Sequence, residues 1–337
     1  MSDVRLEAAL AEGLLPSPDD TPPLIFGAPP DGALARLYPH AQFIQPLQPD
    51  NDALSAAGRA VFPALVSDGP VFGAAIIMVP RARALAHDWI AQAAGRLAPG
   101  GLLILDGAKT DGIDSLWRAL RPRLCDPETL TKAHGRLFCG RVTQDRFGDL
   151  RAAPKTLAGG FCTAPGVFSA DGVDPGSAAL ADALPARLAG HIVDLGAGWG
   201  WLSAQILKRN DVAHLDLVEA DHAALDAARE NVTDPRAAFH WADATRWRPS
   251  AACNVVVMNP PFHAGRAGDP GLGQAFIGTA AASLGPNGQL WLVANRHLPY
   301  EATLDHHFRD WQDLGGTSAF KILQASRPRQ TRKGARP

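Results

Sequence analysis

Short apolar runs separated by amphipathic stretches set the rhythm of this chain. In the first half, Leu24–Phe26, Gln42–Ile44, Ala75–Val79 and Leu102–Leu105 read as strands. In the second half, Ile192–Leu195, Leu215–Val218, Phe239–Trp241, Val255–Met258 and Leu290–Val293 do the same. Runs this short, apolar at consecutive positions, suit strands covered on both faces. The helical stretches between them predict a parallel α/β sheet in each half.

The halves also share a layout. Ala75–Pro80 (AIIMVP), a helical stretch, the turn Leu97–Gly101 (LAPGG) and Leu102–Leu105 make one series. Val255–Pro260 (VVVMNP), a helical stretch, the turn Leu284–Gly288 (LGPNG) and Leu290–Val293 make the other. Pro80 and Pro260 lie 180 residues apart, whereas Gly101 and Gly288 lie 187 apart. The later copy therefore holds extra residues in the interval that begins Pro261-Phe262-His263, room for a functional loop. Such self-similarity predicts a duplicated domain. The expected division is a first domain over 1–146, a Gly- and Pro-containing linker over 147–165, a second domain over 166–326 and a basic tail over 327–337.

Chemistry concentrates in the second half. Ile192–Leu195 runs into Gly196-Ala197-Gly198-Trp199-Gly200, and helical character follows. Glycines between a strand and a helix let a ligand approach the backbone, beside the free N–H groups of the helix start. Asp194 precedes the first glycine by two residues. A carboxylate there faces an ammonium group well and a pyrophosphate badly, which points to S-adenosylmethionine, whose amino-acid end is cationic and which carries no phosphate. Glu219 ends the next apolar run, where an acid accepts from ribose hydroxyls. Asp243, with Ala244 beside it, ends the third and suits the adenine amino group. Three acids at three successive strand ends are the cofactor signature. Trp199 and Trp201 read as helix-packing residues.

The fourth strand ends in Asn259-Pro260-Pro261-Phe262-His263. An aromatic amine is a poor nucleophile because its lone pair is delocalised. Two acceptors on its N–H bonds, the side-chain oxygen of Asn259 and the carbonyl of Pro260, hold it toward a methyl donor and stabilise the charge it gains. Consecutive prolines stiffen the turn, and Phe262 offers a face for a base removed from its stack. Asn259 also adjoins the cofactor, and Pro261 and His263 are substrate candidates.

Composition narrows the setting. A net charge of −2 excludes overall polycation character, so a nucleic-acid partner must meet local basic surface. Arg327, Arg329, Arg332, Lys333 and Arg336 offer one such place. Cys125, Cys139, Cys162 and Cys253 lack C-x-x-C spacing, so neither a metal site nor a disulfide framework is expected. The N-terminal stretch has no signal-peptide core, and no apolar run approaches a membrane span. A cytoplasmic protein without a membrane partner is expected, and its oligomeric state is not encoded in these features.

Four stretches resemble the RsmC-type small-subunit ribosomal RNA guanine-N2 methyltransferases of the class I S-adenosylmethionine-dependent family. They are DLGAGWG (Asp194–Gly200), NPPFH (Asn259–His263), GVFSADGVDPGS (Gly166–Ser177) and NRHLPYE (Asn295–Glu301). LAPGGLLILDGAKTDGIDSL (Leu97–Leu116) extends the likeness into the first half. The resemblance implies two tandem Rossmann-like methyltransferase domains, the N-terminal one degenerate, with rRNA or the small ribosomal subunit as partner. The first half carries FGAPPDG in place of a glycine loop, Gln48 near the second-strand acid, and Met78-Val79-Pro80 without the Asn-Pro-Pro-Phe group. It is expected not to bind cofactor and to serve substrate recognition or support. By the same resemblance Phe168, Asp174 and Ser177 line the cofactor mouth, while Arg296 either meets RNA phosphate, with Tyr300 packed nearby, or serves the structure alone. Ala197 departs from the cysteine of many relatives, a small-for-small exchange.

The residues alone leave other acceptors open for the same chemistry, namely adenine N6 in nucleic acid or a protein glutamine amide. A nicotinamide-dependent oxidoreductase would use the glycine loop but gives Asn259–Phe262 no task. A non-catalytic RNA-binding assembly protein would need none of Asp194, Glu219, Asp243 or Asn259.

Overall fold

A computed structural model describes residues 2–66, 68–143, 146–261, 263–264, 267–268 and 270–329, with backbone only at 263, 264, 267, 268 and 270. Phe262 and the tail residues Arg332, Lys333 and Arg336 lie outside the described residues. The chain divides into two compact units, Met1–Pro154 and Lys155–Pro337.

In the first unit the strands are β1 (Leu24–Phe26), β2 (Gln42–Ile44), β3 (Ala60–Phe62), β4 (Phe72–Met78), β5 (Leu97–Ala108), β6 (Cys125–Lys132) and β7 (Gly135–Arg141). They form one sheet in the order β3-β2-β1-β4-β5-β7-β6. The helices are α1 (Ser2–Ala11), α2 (Ala33–Leu37), α3 (Gln48–Ala56), α4 (Arg83–Ala94) and α5 (Ile113–Leu120). Alternate strand residues feed two cores. Phe26, Ile77 and Leu105 pack with Trp89 and Ile90 on one face, and Ile25, Ile76 and Ile104 pack with Leu6 and Leu34 on the other. Double coverage is why β1, Ala74–Met78 of β4 and Leu102–Leu105 of β5 are apolar at every position.

The second unit begins with a small hairpin of β8 (Lys155–Thr156) and β9 (Cys162–Thr163). Its main strands are β10 (Gly190–Leu195), β11 (Val212–Glu219), β12 (Ala237–Trp241), β13 (Cys253–Met258), β16 (Leu284–Asn295), β17 (Phe308–Gly316) and β18 (Phe320–Pro328), with β14 (His263–Ala264) and β15 (Ala267–Gly268) paired separately. The order β12-β11-β10-β13-β16-β18-β17 repeats that of the first sheet. The helices are α6 (Pro175–Ala183), α7 (Trp201–Leu207), α8 (His222–Asn231), α9 (Pro270–Ser283) and α10 (Glu301–His307). In both sheets the first five strands in chain order run parallel, and the last two form an antiparallel hairpin against the fifth.

Every predicted strand is present, and several differences carry a reason. The Leu97–Gly101 and Leu284–Gly288 turns are bulges inside single long strands, with register shifts opposite Phe72/Ala74 and Cys253/Val255. At Gly101 an added Cβ would lie 2.9 Å from Ala98 O, and at Gly288 2.8 Å from Leu284 Cβ. The stretch 147–165 is not a free linker: Phe147 is buried in the first core, and Cys162 pairs its backbone with the Asn231 side chain. Arg327 and Pro328 belong to β18, so the strand runs past the expected start of the tail.

One buried ion pair anchors the first unit. Arg5 of α1 reaches Asp106 of β5 through Nη2, 2.8 Å from Oδ2, and through Nε, with both side chains nearly inaccessible. Gly135 leaves the room, since a Cβ there would lie 2.3 Å from Arg5 Nη1. Asp106→Ala strands a buried guanidinium and is expected to cost about 3–5 kcal/mol. Chemical denaturation checks this, and a loss below about 1 kcal/mol would show the pair to be dispensable.

Candidate active site

The glycine loop is shaped by backbone before it is shaped by ligand. Gly196, Gly198 and Gly200 all have positive φ, at 83°, 56° and 85°. A Cβ on Gly200 would press on Ala228 and Val232 of α8, and one on Gly196 on Phe276 of α9. Nothing lies within 4 Å of a Cβ at Gly198, which faces open space. Gly196 N and Ala197 N both donate to Val218 O, and Gly198 N donates to Glu219 Oε2 at 2.8 Å. The loop is thus bonded to the end of β11.

Beside it lies a pocket of about 420 Å³, mouth included, lined among others by Phe168, Asp174, Ser177, Asp194, Gly198 and Asn259. Asp194 is 1% exposed, and its Oδ2 accepts from Ser203 Oγ at 2.6 Å. Among the described residues its Oδ1 has no hydrogen-bond partner. Burial pushes the carboxyl up to about 7, reinforced by the Glu219 charge and opposed by the Ser203 bond. A buried acceptor without a donor costs stability until something satisfies it. A cationic donor entering this pocket does so.

Asn259, one residue past β13, is the second such group. Its Nδ2 donates to Asp174 Oδ2 and to Ser177 Oγ, each at 2.8 Å. A carboxylate only accepts, so the NH2 face of the amide is fixed toward Asp174 and the carbonyl is turned the other way. Among the described residues that Oδ1 is buried and has no partner. Asp174 is held as the N-cap of α6, where Oδ2 also accepts from Ser177 N at 2.7 Å and Pro175 opens the helix. Gly176 is needed between them, because a Cβ there would lie 3.0 Å from Asp174 Oδ2.

The other candidates fall at varied distances from this centre. Glu219 is half-buried, and its oxygens accept from Gly198 N and Asp221 N, both at 2.8 Å, leaving one lone pair on each for a ligand. Burial raises its carboxyl above the usual range. Asp243 Oδ1 accepts from Thr245 N and Thr245 Oγ1, closing the turn after β12, and neither Asp243 nor Glu219 lines the pocket. The Ala244 methyl is buried in the core with Val218 and Met258, which leaves its backbone to meet a cofactor. Pro260 is buried and Pro261 exposed. Phe168 stands 59% exposed at the pocket, and its carbonyl accepts from Trp199 Nε1. Trp199 is packed on Val167, Ala224 and Ala227, yet it and Trp201 also line the pocket. Arg296 is apart from this group: its guanidinium donates to Thr317 O and Phe320 O. Tyr300 is fully buried against Gly273 of α9. Sequence reading missed Ser203, whose signal is a hydroxyl on the first turn of α7, facing the strand that bears Asp194.

The first unit repeats the frame without the groups. Gly27 N donates to Ile44 O as Gly196 N does to Val218 O. From that shared register Ile25 stands where Asp194 does, and Met78 where Asn259 does. The counterpart of Glu219 is Gln45 rather than Gln48, which lies inside α3. Trp89 fills the space above Gly27, 2.7 Å from a Cβ placed there.

The sequence profile of the methyltransferase small domain matches residues 158–324. A ribosomal RNA small subunit methyltransferase C of Pseudomonas aeruginosa is 33% identical over 325 residues, 91% of this chain and 95% of its own length. A protein of the same name from Escherichia coli O81 is 30% identical over 64% of this chain and 66% of its own. Among solved structures, a T. thermophilus 16S rRNA N2 methyltransferase in complex with AdoMet and guanosine superposes with TM-score 0.77 at 26% identity, covering 91% of this chain and 88% of that one.

A pH dependence follows from Asp194. In the free protein its carboxyl takes up a proton as pH falls through about 7. An ammonium bound against Oδ1 requires the ionised form, so binding below pH 7 releases that proton. S-adenosylmethionine affinity should therefore fall toward tenfold per pH unit below 7 and level off above it. Calorimetry at pH 6 in buffers of different ionisation enthalpy reads the proton directly. Zero release, or the same slope in Asp194→Asn, would remove Asp194 from the ammonium site.

Proposed function

The chain belongs to the ribosomal RNA small subunit methyltransferase C family, and from that premise we propose that it methylates the exocyclic N2 amine of a guanine in small-subunit (16S) ribosomal RNA. It is an S-adenosylmethionine-dependent methyltransferase. The observation that carries the reading is the orientation of Asn259: both amide hydrogens are taken by Asp174 and Ser177, and the free oxygen is the acceptor a substrate amine needs.

When bound, the cofactor supplies an electrophilic methyl group on a sulfonium. The chain's own residues supply position and charge. Asp194 holds an ammonium, the backbone at Gly196 and Gly198 permits close approach, and Glu219 takes ribose hydroxyls on its remaining lone pairs. Asp243 and Ala244 border the adenine end. Asn259 Oδ1 and the Pro260 carbonyl accept the two N–H bonds of the guanine amine, turn its lone pair toward the methyl group and stabilise the positive charge it acquires. The product ammonium is acidic, so no strong general base is required. Phe168 at the exposed mouth suits the face of an extruded base, and Pro261, Phe262 and His263, which follow Pro260 in the sequence, are the further substrate candidates.

The first unit lacks the acids, and Trp89 occupies the space over its loop. Its role is substrate recognition or support, and S-adenosylmethionine should bind at one site per chain. Among the described residues no helix is long and apolar enough to cross a membrane. A ribosomal RNA substrate accords with a cytoplasmic enzyme. Family membership replaces the oxidoreductase reading, and the alternative acceptors become outcomes of the assay.

Labelled cofactor supplied with naked rRNA, assembled small subunits and total protein, followed by nucleoside analysis, tests this directly. N2-methylguanosine is expected, whereas label in adenine or glutamine would overturn the substrate assignment. Asn259→Ala should leave cofactor affinity nearly unchanged and lower turnover by ~100-fold or more, the scale of one lost transition-state dipole. Near-normal turnover would remove Asn259 from its role. A calorimetric stoichiometry of two cofactors per chain would contradict the inert first unit.

A further inference from the structure

The second sheet carries a polar cluster that the methyl-transfer chemistry does not use. Asp216 of β11 is 7% exposed in its side chain and is surrounded by three imidazoles on the same sheet face. His191 Nε2 of β10 lies 2.6 Å from Asp216 Oδ2. His214 Nε2 of β11 and His240 Nε2 of β12 lie 3.1 and 2.7 Å from Oδ1. The ligand atoms of His191, His214 and Asp216 all fall within 4.8 Å of one another. No spacing along the chain announces this cluster, because it is assembled across neighbouring strands, with His191 opposite His214, and the cysteines lack zinc spacing.

We propose that His191, His214 and Asp216 form a binding site for a divalent transition-metal cation of the zinc class, with His240 orienting the carboxylate. Two imidazole nitrogens and a carboxylate oxygen are the donor set such ions take, at about 2.0–2.2 Å from each ligand. Ligands around one ion then sit roughly 3–4 Å apart, so side-chain rotations close the present spacing. His240 fits the outer shell: it bonds the carboxylate, and its ring is fixed against Trp247 at 5.1 Å. His214, 45% exposed in its side chain, opens the site to solvent and leaves positions for water.

The placement gives the site a task. His191 precedes Asp194 by three residues, Asp216 precedes Glu219 by three, and His240 precedes Asp243 by three. Each strand that leads into one of these acids therefore carries a member of the cluster three residues earlier, and β11 carries His214 as well. β12 is the edge strand of its sheet, held there by β11 alone. An ion bridging β10 and β11, with His240 bonded to the same carboxylate, ties the register of all three strands and so the spacing of the three acids.

The test uses full-length protein stripped with a chelator, with Zn²⁺ as the probe. One Zn²⁺ per chain is expected, with micromolar or tighter affinity and a raised melting temperature. His191→Ala and His214→Ala should each weaken binding by tenfold or more and abolish the thermal shift, and His240→Ala should weaken it less. Replacing Zn²⁺ by Co²⁺ should give a visible absorption band that both ligand variants lose. Binding of S-adenosylmethionine at one site by each metal-free variant verifies that it is folded. The adjacent pair His306–His307 is the competing site, and His306→Ala/His307→Ala should leave the Zn²⁺ isotherm unchanged. No saturable Zn²⁺ uptake by the wild type, uptake that survives loss of His191 and His214, or uptake lost with the His306–His307 pair would each overturn the proposal.

Discussion

Asn259 can offer its oxygen to a substrate amine only while its own NH2 group is held elsewhere, and that holding comes from Asp174 and Ser177, 85 and 82 residues earlier in the chain. Neither partner is placed for that purpose by local sequence alone. Asp174 is where it is because it caps α6, Pro175 fixes the first turn, and Leu180 buries the helix against the sheet. The catalytic acceptor thus depends on a helix cap, and a glycine between cap and hydroxyl keeps their spacing. A free asparagine would rotate to satisfy its oxygen within the protein. Here the strongest donor sites of the amide are already committed, so the oxygen is left for substrate.

Among the described residues the pocket contains two such unfulfilled acceptors, Asp194 Oδ1 and Asn259 Oδ1. Leaving a buried acceptor unpaired costs about 1–3 kcal/mol, and the free protein carries that cost at the place where ligands enter. The Glu219 charge adds to the burial that pushes the Asp194 carboxyl up, and burial raises Glu219 as well. A cation arriving beside Asp194 relieves both conditions. Backbone order does the rest: Gly196, Ala197 and Gly198 are hydrogen-bonded to β11, so the loop stands formed before any ligand arrives.

What could be read from sequence follows from burial. The central parallel strands are covered on both faces and announce themselves as apolar runs, whereas the exposed edge strand β3 does not. The hairpins β6–β7 and β17–β18 were not legible, because β6 and β17 are largely exposed and polar. Asp194, Gly196, Gly198 and Asn259 were legible because each sits at a strand end within a short motif. Ser203 was not, since a serine in an apolar helix start has no distinctive spacing. Arg296 could be read as a phosphate ligand or as a structural residue, and its guanidinium donates to Thr317 O and Phe320 O, stapling the turn before β18. Charge is visible in a sequence, but the neighbours that claim it are not.

The duplicated frame separates what the fold needs from what the chemistry needs. Both copies keep the glycine after the first strand and its bond to the second, and both keep the glycine inside the fifth-strand bulge, where no Cβ fits. Counting from Gly27 and Gly196, Pro29 takes the position of Gly198. Proline has no N–H, so the bond that Gly198 gives to Glu219 has no equivalent there. The acid has changed accordingly: Gln45 replaces it and turns donor, bonding Ala28 O at 3.1 Å. Loop and second strand remain tied in both units, but the polarity of the tie is reversed. In the second unit a carboxylate keeps a spare lone pair on each oxygen. In the first an amide donates to Ala28 O of the loop and to Asp50 Oδ2 of α3, and Trp89 fills the space that a ligand would use.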